Sequence, residues 1–261
     1  MTPSAPSIEE LLLPLLVRAG QSDTLRADSL GLWHVGEERF WLPRFVFQRT
    51  SVVKPRITLG LFACIHGDEP AGALALGDLV QALDENPGMG REYQLWIYPL
   101  CNPTGYLAGT RHCAAGKDLN REFWKGSGEP EVVLLEKELR SKKFDGIISL
   151  HTDDTSDGVY GFVRGATLTE HLLKPALAAA EEALPRNQKA QIDGFHAVDG
   201  IIRSAYDGIL CAPPETRPAP FEIILETPHH ACVSLQRQAF VLALKAILVE
   251  YRRMLSFAAN I

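Results

Sequence analysis

Residues 57–65 read ITLGLFACI, a nearly unbroken apolar run rich in strand-forming residues. A strand with one wet face alternates apolar and polar residues. This run does not, so it predicts a strand buried on both faces, inside a parallel or mixed sheet covered by helices. The rest of the chain supplies partners and covers. Segments 93–100 (YQLWIYPL), 145–150 (DGIISL) and 221–225 (FEIIL) read as further core strands. Between and after them, 70–83, 129–142, 168–184 and 234–256 carry helical periodicity. Pro130 sits where a helix tolerates proline, near its first turn, whereas Pro175 is expected to kink the helix over 168–184. Strands alternating with helices over some 200 residues predict a three-layer α/β sandwich, with a mixed, mostly parallel central sheet flanked by helices. The division expected is an N-terminal helical or extended segment, 1–45, packed on one catalytic domain, 46–261. Within the first segment, 8–19 reads as an amphipathic helix.

In such sheets ligands gather at the carboxyl ends of the central strands. After Ile65 comes His66-Gly67-Asp68-Glu69; after Leu150 comes His151-Thr152-Asp153-Asp154; after Leu225 comes Glu226. His66 and Glu69 are three apart at a strand-to-helix turn, so both can address one point. Two imidazoles and a carboxylate form a common catalytic zinc set that leaves a fourth position open. Glu226 is then free to take a proton from water. Singly, each residue has a plain reading: His151 as a core histidine, Glu226 as a cap or surface charge. Their joint arrival at successive strand ends favours a site. Asp68, Asp153 and Asp154 are available to orient the histidines or to hold a second metal.

Between these clusters lies NPTG at 102–105, GTR at 109–111 and GKDLNR at 116–121. Arg111 and Arg121 can grip a carboxylate or polarise a carbonyl oxygen. The plain alternative is a solvated basic loop in which Asp118 pairs one arginine.

HGDE, NPTGxxxGTR, GKDLNR, SLHTDD and a late ETP, in that order, resemble the zinc carboxypeptidase superfamily. That superfamily includes pancreatic-type carboxypeptidases, murein peptide amidases, and the succinylglutamate desuccinylase/aspartoacylase branch. The resemblance runs from about residue 57 to the C-terminus. It implies one zinc ion per chain on His66, Glu69 and His151. It further implies Arg111 polarising the scissile carbonyl, Asn120 and Arg121 holding a substrate carboxylate, and Glu226 as general base. Tyr206 lies about where the pancreatic enzymes carry a mobile tyrosine, and also reads as a core or loop residue. Glu222 shares a strand face with Glu226, which is preferred for its place at the strand's end. The short stretch after Glu226 has room for one helix and not for the extra β-domain usual in the aspartoacylase branch. The activity implied is hydrolysis of an amide in a small peptide; the alternatives are N-acyl amino acid deacylation and a non-catalytic zinc-binding relative.

Composition narrows the partners. Lysine and arginine total 26 against 32 acidic residues, a net charge of −6, which argues against nucleic acid and anionic membranes. The five cysteines form no CxxC pair, so reduced thiols are expected. The apolar run 11–17 is short, broken by Pro14 and preceded by acids, unlike a signal peptide. No stretch is long enough to span a membrane, and a cytoplasmic protein is expected.

Overall fold

The computed structural model describes residues 7–49 and 57–258; residues 1–6, 50–56 and 259–261, which belong to the segments delimited above, lie outside the described residues. The chain opens with α1 (Ile8–Gln21), whose Ser7 hydroxyl accepts the Glu10 N–H as N-cap. A hairpin follows, β1 (Leu25–Val35) and β2 (Glu38–Gln48). Its two-residue turn is made possible by Gly36, at φ +60°. Next come β3 (Ile57–Ala63), α2 (Ala71–Glu85), β4 (Tyr93–Tyr98), α3 (Pro103–Ala108), a 3-10 turn (Leu119–Arg121), α4 (Pro130–Ser141) and β5 (Gly146–Asp153). The remainder is β6 (Tyr160–Val163), α5 (Ala166–Leu168), a π-helical turn (Thr169–Leu173), α6 (Lys174–Ala180), the short β7 (Gln191–Ile192), β8 (Phe195–Val198) and β9 (Ile201–Ile202), then β10 (Phe221–Pro228) and α7 (Val233–Ala258).

The ten strands of the described residues form one sheet in the order β1-β2-β4-β3-β5-β10-β6-β9-β8-β7. The central four, β4, β3, β5 and β10, are parallel. They are the four runs legible as core strands, and β3 and β5 are buried along almost their whole length. Antiparallel pairings flank them, β2 on β4 and β6 on β10. Thus α1 and the hairpin extend and cover one side of the sheet, with Leu11, Leu12 and Leu15 in the main core.

That core lies between the sheet and α1, α2, α6 and α7. On the opposite face, Val132, Leu135 and Leu139 of α4 pack with Phe62, Tyr98, Phe123 and Ile147. Helices therefore cover both faces, as the apolar runs require. Around Pro175 the helical path is continuous but widened: the π-helical turn ends at Leu173, two residues before the proline that cannot donate an N–H. Among the described residues, no helix is long and apolar enough to cross a membrane.

A buried bond joins the two layers of the main core. The Tyr93 hydroxyl donates to the Leu248 carbonyl of α7 at 2.6 Å, and the side chain is fully buried. Tyr93→Phe removes this bond while the carbonyl keeps its place in the helix, and is expected to cost about 0.5–1.5 kcal/mol. A thermal melt checks this, and an unchanged midpoint would show that the bond carries no net stability.

Candidate metal centre

His66 and Glu69 sit in the turn that leaves β3. Cys64 begins the turn in the left-handed region, φ +53°, uncommon for a residue with a side chain. Backbone bonds hold it there: Cys101 N–H donates to Ala63 O and Asn102 N–H to Cys64 O. Gly67 then passes against α3 so closely that a Cβ would lie 2.0 Å from the Gly105 carbonyl carbon. Only glycine permits that approach.

The NPTG motif is the other half of this joint. Asn102 caps α3, its Oδ1 accepting the Gly105 N–H at 2.8 Å. Its Nδ2 donates to the Arg111 carbonyl, which also accepts the Gly67 N–H. The chain bearing Arg111 is thereby fastened to the turn bearing His66 and Glu69.

His151 arrives on β5, in register beside Glu226 of β10. His66 Nδ1 lies 2.7 Å from Glu69 Oε1, His151 Nδ1 lies 3.3 Å from Glu69 Oε2, and the two Nδ1 atoms are 3.3 Å apart. All three side chains are buried. One donor atom from each lies within 4.8 Å of the others, and this is the cluster of converging metal-ligand groups among the described residues. The Thr152 N–H donates to Glu69 Oε2 at 3.0 Å and fixes the carboxylate's orientation. Two imidazole nitrogens and a carboxylate oxygen turned to one point fit the donor set of a catalytic zinc ion.

The charges follow from the contacts. Burial disfavours ionised Glu69, but the two histidines outweigh it and hold its pKa down at about 2. Burial also opposes charge on His66, yet Glu69 and Asp118 together raise its pKa. His151 is pushed down, chiefly by burial.

The carboxylate that orients a histidine is Asp118. The sequence offers Asp118 only as a partner for an arginine, and offers Asp68, Asp153 and Asp154 for orienting the histidines. Asp118 Oδ1 lies 3.2 Å from His66 Nε2, and Oδ2 accepts Arg111 Nη2 at 2.9 Å. With Nε2 protonated, the ring donates to Asp118 and keeps its Nδ1 lone pair toward Glu69 and His151. Asp153 is engaged elsewhere, accepting the Tyr160 hydroxyl and two donors of Thr155. The signal for Asp118 was present in DLNR, but nothing in the sequence gives one carboxylate two partners.

The eight residues to which the resemblance gives a place in the site line one cleft of about 500 Å³: His66, Glu69, Arg111, Asn120, Arg121, His151, Tyr206 and Glu226. Arg111 lies between Asp118 and Glu69, with Nη1 3.6 Å from Glu69 Oε1. Asn120 is fixed by the Leu210 N–H, which donates to its Oδ1. Arg121 lies over the Tyr206 ring, 4.2 Å from its centre. The Tyr206 hydroxyl donates to the Asp193 carbonyl. Glu226 is partly exposed to the cleft. Burial, then the nearby carboxylates of Glu69, Asp153 and Asp193, push its pKa well above the ordinary carboxylate value.

Residues 55–192, more than half of the chain, match the succinylglutamate desuccinylase/aspartoacylase catalytic domain. The chain belongs to that family. The match contains His66, Glu69, Arg111, Asn120, Arg121 and His151, and ends before Tyr206 and Glu226. No curated protein matches the sequence. Solved structures share the fold. A protein of Shewanella denitrificans described as a candidate metallopeptidase is 22% identical, with a TM-score of 0.75 over 92% of this chain and 87% of that one. A metallo-carboxypeptidase of Burkholderia cenocepacia is 17% identical, with a TM-score of 0.74 over 95% and 70%. Carboxypeptidase A of Helicoverpa armigera is 13% identical, with a TM-score of 0.69 over 95% and 73%.

Asp118→Asn removes the carboxylate that fixes the His66 ring and is expected to weaken zinc binding roughly 10–100-fold. Competition against a chromogenic chelator measures it. Affinity equal to wild type would mean that the His66 ring is held without Asp118.

Proposed function

We propose that the protein is a zinc-dependent hydrolase of an amide bond adjoining a free carboxylate, acting on short peptides. The observation that carries this reading is the pairing of the His66, Glu69 and His151 cluster with Glu226, in register beside His151 on the next strand. Zinc in such a set supplies Lewis acidity, polarising a carbonyl and acidifying water.

The protein's own groups supply the rest. Glu226 takes a proton from the attacking water and delivers it to the leaving nitrogen. Its raised pKa suits a group that must both accept and release that proton. Arg111, held by Asp118, faces the carbonyl oxygen and stabilises the charge that develops there. Asn120 and Arg121 hold the substrate carboxylate, the guanidinium being kept in place by stacking on Tyr206. A small molecule of this kind suits a cleft of about 500 Å³ in a chain of net charge −6 better than a nucleic acid does.

A second reading, cleavage of N-acyl amino acids, is favoured by the desuccinylase/aspartoacylase match. The machinery is the same and the acyl group differs. Short peptides assayed beside N-acetyl and N-succinyl amino acids separate the two: turnover of acyl amino acids alone sinks the peptide reading. Glu226→Gln is expected to retain zinc and lose about 10²–10⁴-fold in kcat. A zinc-loaded variant as active as wild type would remove Glu226 from the reaction.

A further inference from the structure

The end of β5 carries more than His151. Side chains alternate along a strand, so His151 and Thr152 turn to opposite faces of the sheet. Thr152 reaches Glu69 by its backbone: the N–H donates to Glu69 Oε2 at 3.0 Å. Its side chain is buried, and a buried hydroxyl needs a partner. The partner is His229, whose Nδ1 lies 2.8 Å from Thr152 Oγ1. A second bond runs beside it, from the His229 N–H to the Asp153 carbonyl at 2.9 Å.

These two bonds take over where the strand ladder stops. Pairing of β10 with β5 ends at Pro228 and Asp153, and Pro228 has no N–H to give. A strand end without further bonds opens easily. Here the next residue closes it with main chain and side chain together. His229 is held in turn. The buried amide of Gln236, in the first turn of α7, donates to the His229 carbonyl at 3.1 Å and to the Ala231 carbonyl at 2.7 Å. A continuous path therefore runs from α7 through His229 and Thr152 to Glu69. His229 stands three residues after Glu226 on the same segment, so one short stretch carries the proposed base and steadies a ligand carboxylate. Both His229 and Gln236 lie beyond residues 55–192, the part matched by the family.

We infer that His229 is a positioning residue of the metal centre: through the Thr152 hydroxyl it holds the end of β5, so that the Thr152 N–H keeps Glu69 Oε2 beside His151. It acts through Thr152 and not on the reacting atoms. Without this tie the strand end is freer, and the three donor groups converge less closely on one point. The inference rests on the zinc reading of His66, Glu69 and His151 and is independent of which amide is cleaved.

The bond between hydroxyl and imidazole can run in either direction. An asparagine amide at position 229 offers both a donor and an acceptor there, and leucine offers neither. The ring of His229 is exposed, so both variants leave the core intact. Zinc affinity is measured by competition with a chromogenic chelator, and the visible absorption of the cobalt-loaded protein reports the geometry of the ligands. His229→Leu is expected to weaken zinc binding about 10-fold and to shift the cobalt bands. His229→Asn is expected to restore wild-type affinity and bands. Thr152→Val is expected to act as His229→Leu does, and the double variant to be no worse than either single one, because both remove the same bond. Wild-type affinity and bands in His229→Leu overturn the inference, and so does a loss that His229→Asn shares. If wild type takes up neither zinc nor cobalt, the zinc reading falls and the inference with it. If wild type binds both and the variants match it, the inference alone falls.

Discussion

Glu69 brings a carboxylate into a part of the molecule where it is 3% exposed, and an isolated charge there would be strongly unfavourable. Everything around it answers that charge. Two imidazoles and a backbone N–H address its oxygens directly, and Arg111 stands behind at 3.6 Å. The imidazole of His66 in turn needs Asp118, and Asp118 needs Arg111. This alternation of sign has a structural consequence. The loop between β4 and α4 must fold down over the end of β3, because the groups that compensate Glu69 are carried on it. The close packing of Gly67 against α3 and the Asn102 bonds are the mechanical form of the same requirement.

The sheet determines where this can happen. From β3 the chain moves through α2 to β4 on one side, then returns through α3 and α4 to β5 on the other. Between β3 and β5 the direction of winding reverses, and the loops leaving their carboxyl ends part to open a crevice. His66 and Glu69 stand at the end of β3, and His151 stands on β5. Pairing of β10 beside β5 then brings Glu226 to the rim of the same crevice. A crevice at this point follows from topology before any side chain is considered.

The parts legible in the sequence are those where a single local rule decides. Unbroken apolar runs reveal β3, β4, β5 and β10, since burial on both faces leaves no room for alternation. The hairpin was not legible as strands: β1 has mostly exposed or half-buried residues, and its pairing with β2 slips between Ser29 and Leu32. The strands β6 to β9 have only two to four residues each, and their pairing with one another and with β10 defines them more than their composition does. The residues gathered in the cleft were legible because strand ends and motif order place them. The double engagement of Asp118 was not, because it depends on the distance between two loops.

The two glutamates of β10 show where sequence rules stop. Glu222 and Glu226 have the same chemistry and point to the same face, so periodicity cannot divide roles between them. Their neighbours do. Glu226 faces Glu69, Asp153 and Asp193, with Arg111 opposing, so its proton is easily kept. Glu222 meets the Ala212 N–H and the more distant Arg164, in a cavity whose wall also carries Ser149, Ser204, Thr216 and Arg217. A carboxylate crowded by like charge is suited to moving a proton, the part proposed for Glu226. Four residues of strand separate the two glutamates, and the difference between them lies wholly in what the fold packs against each.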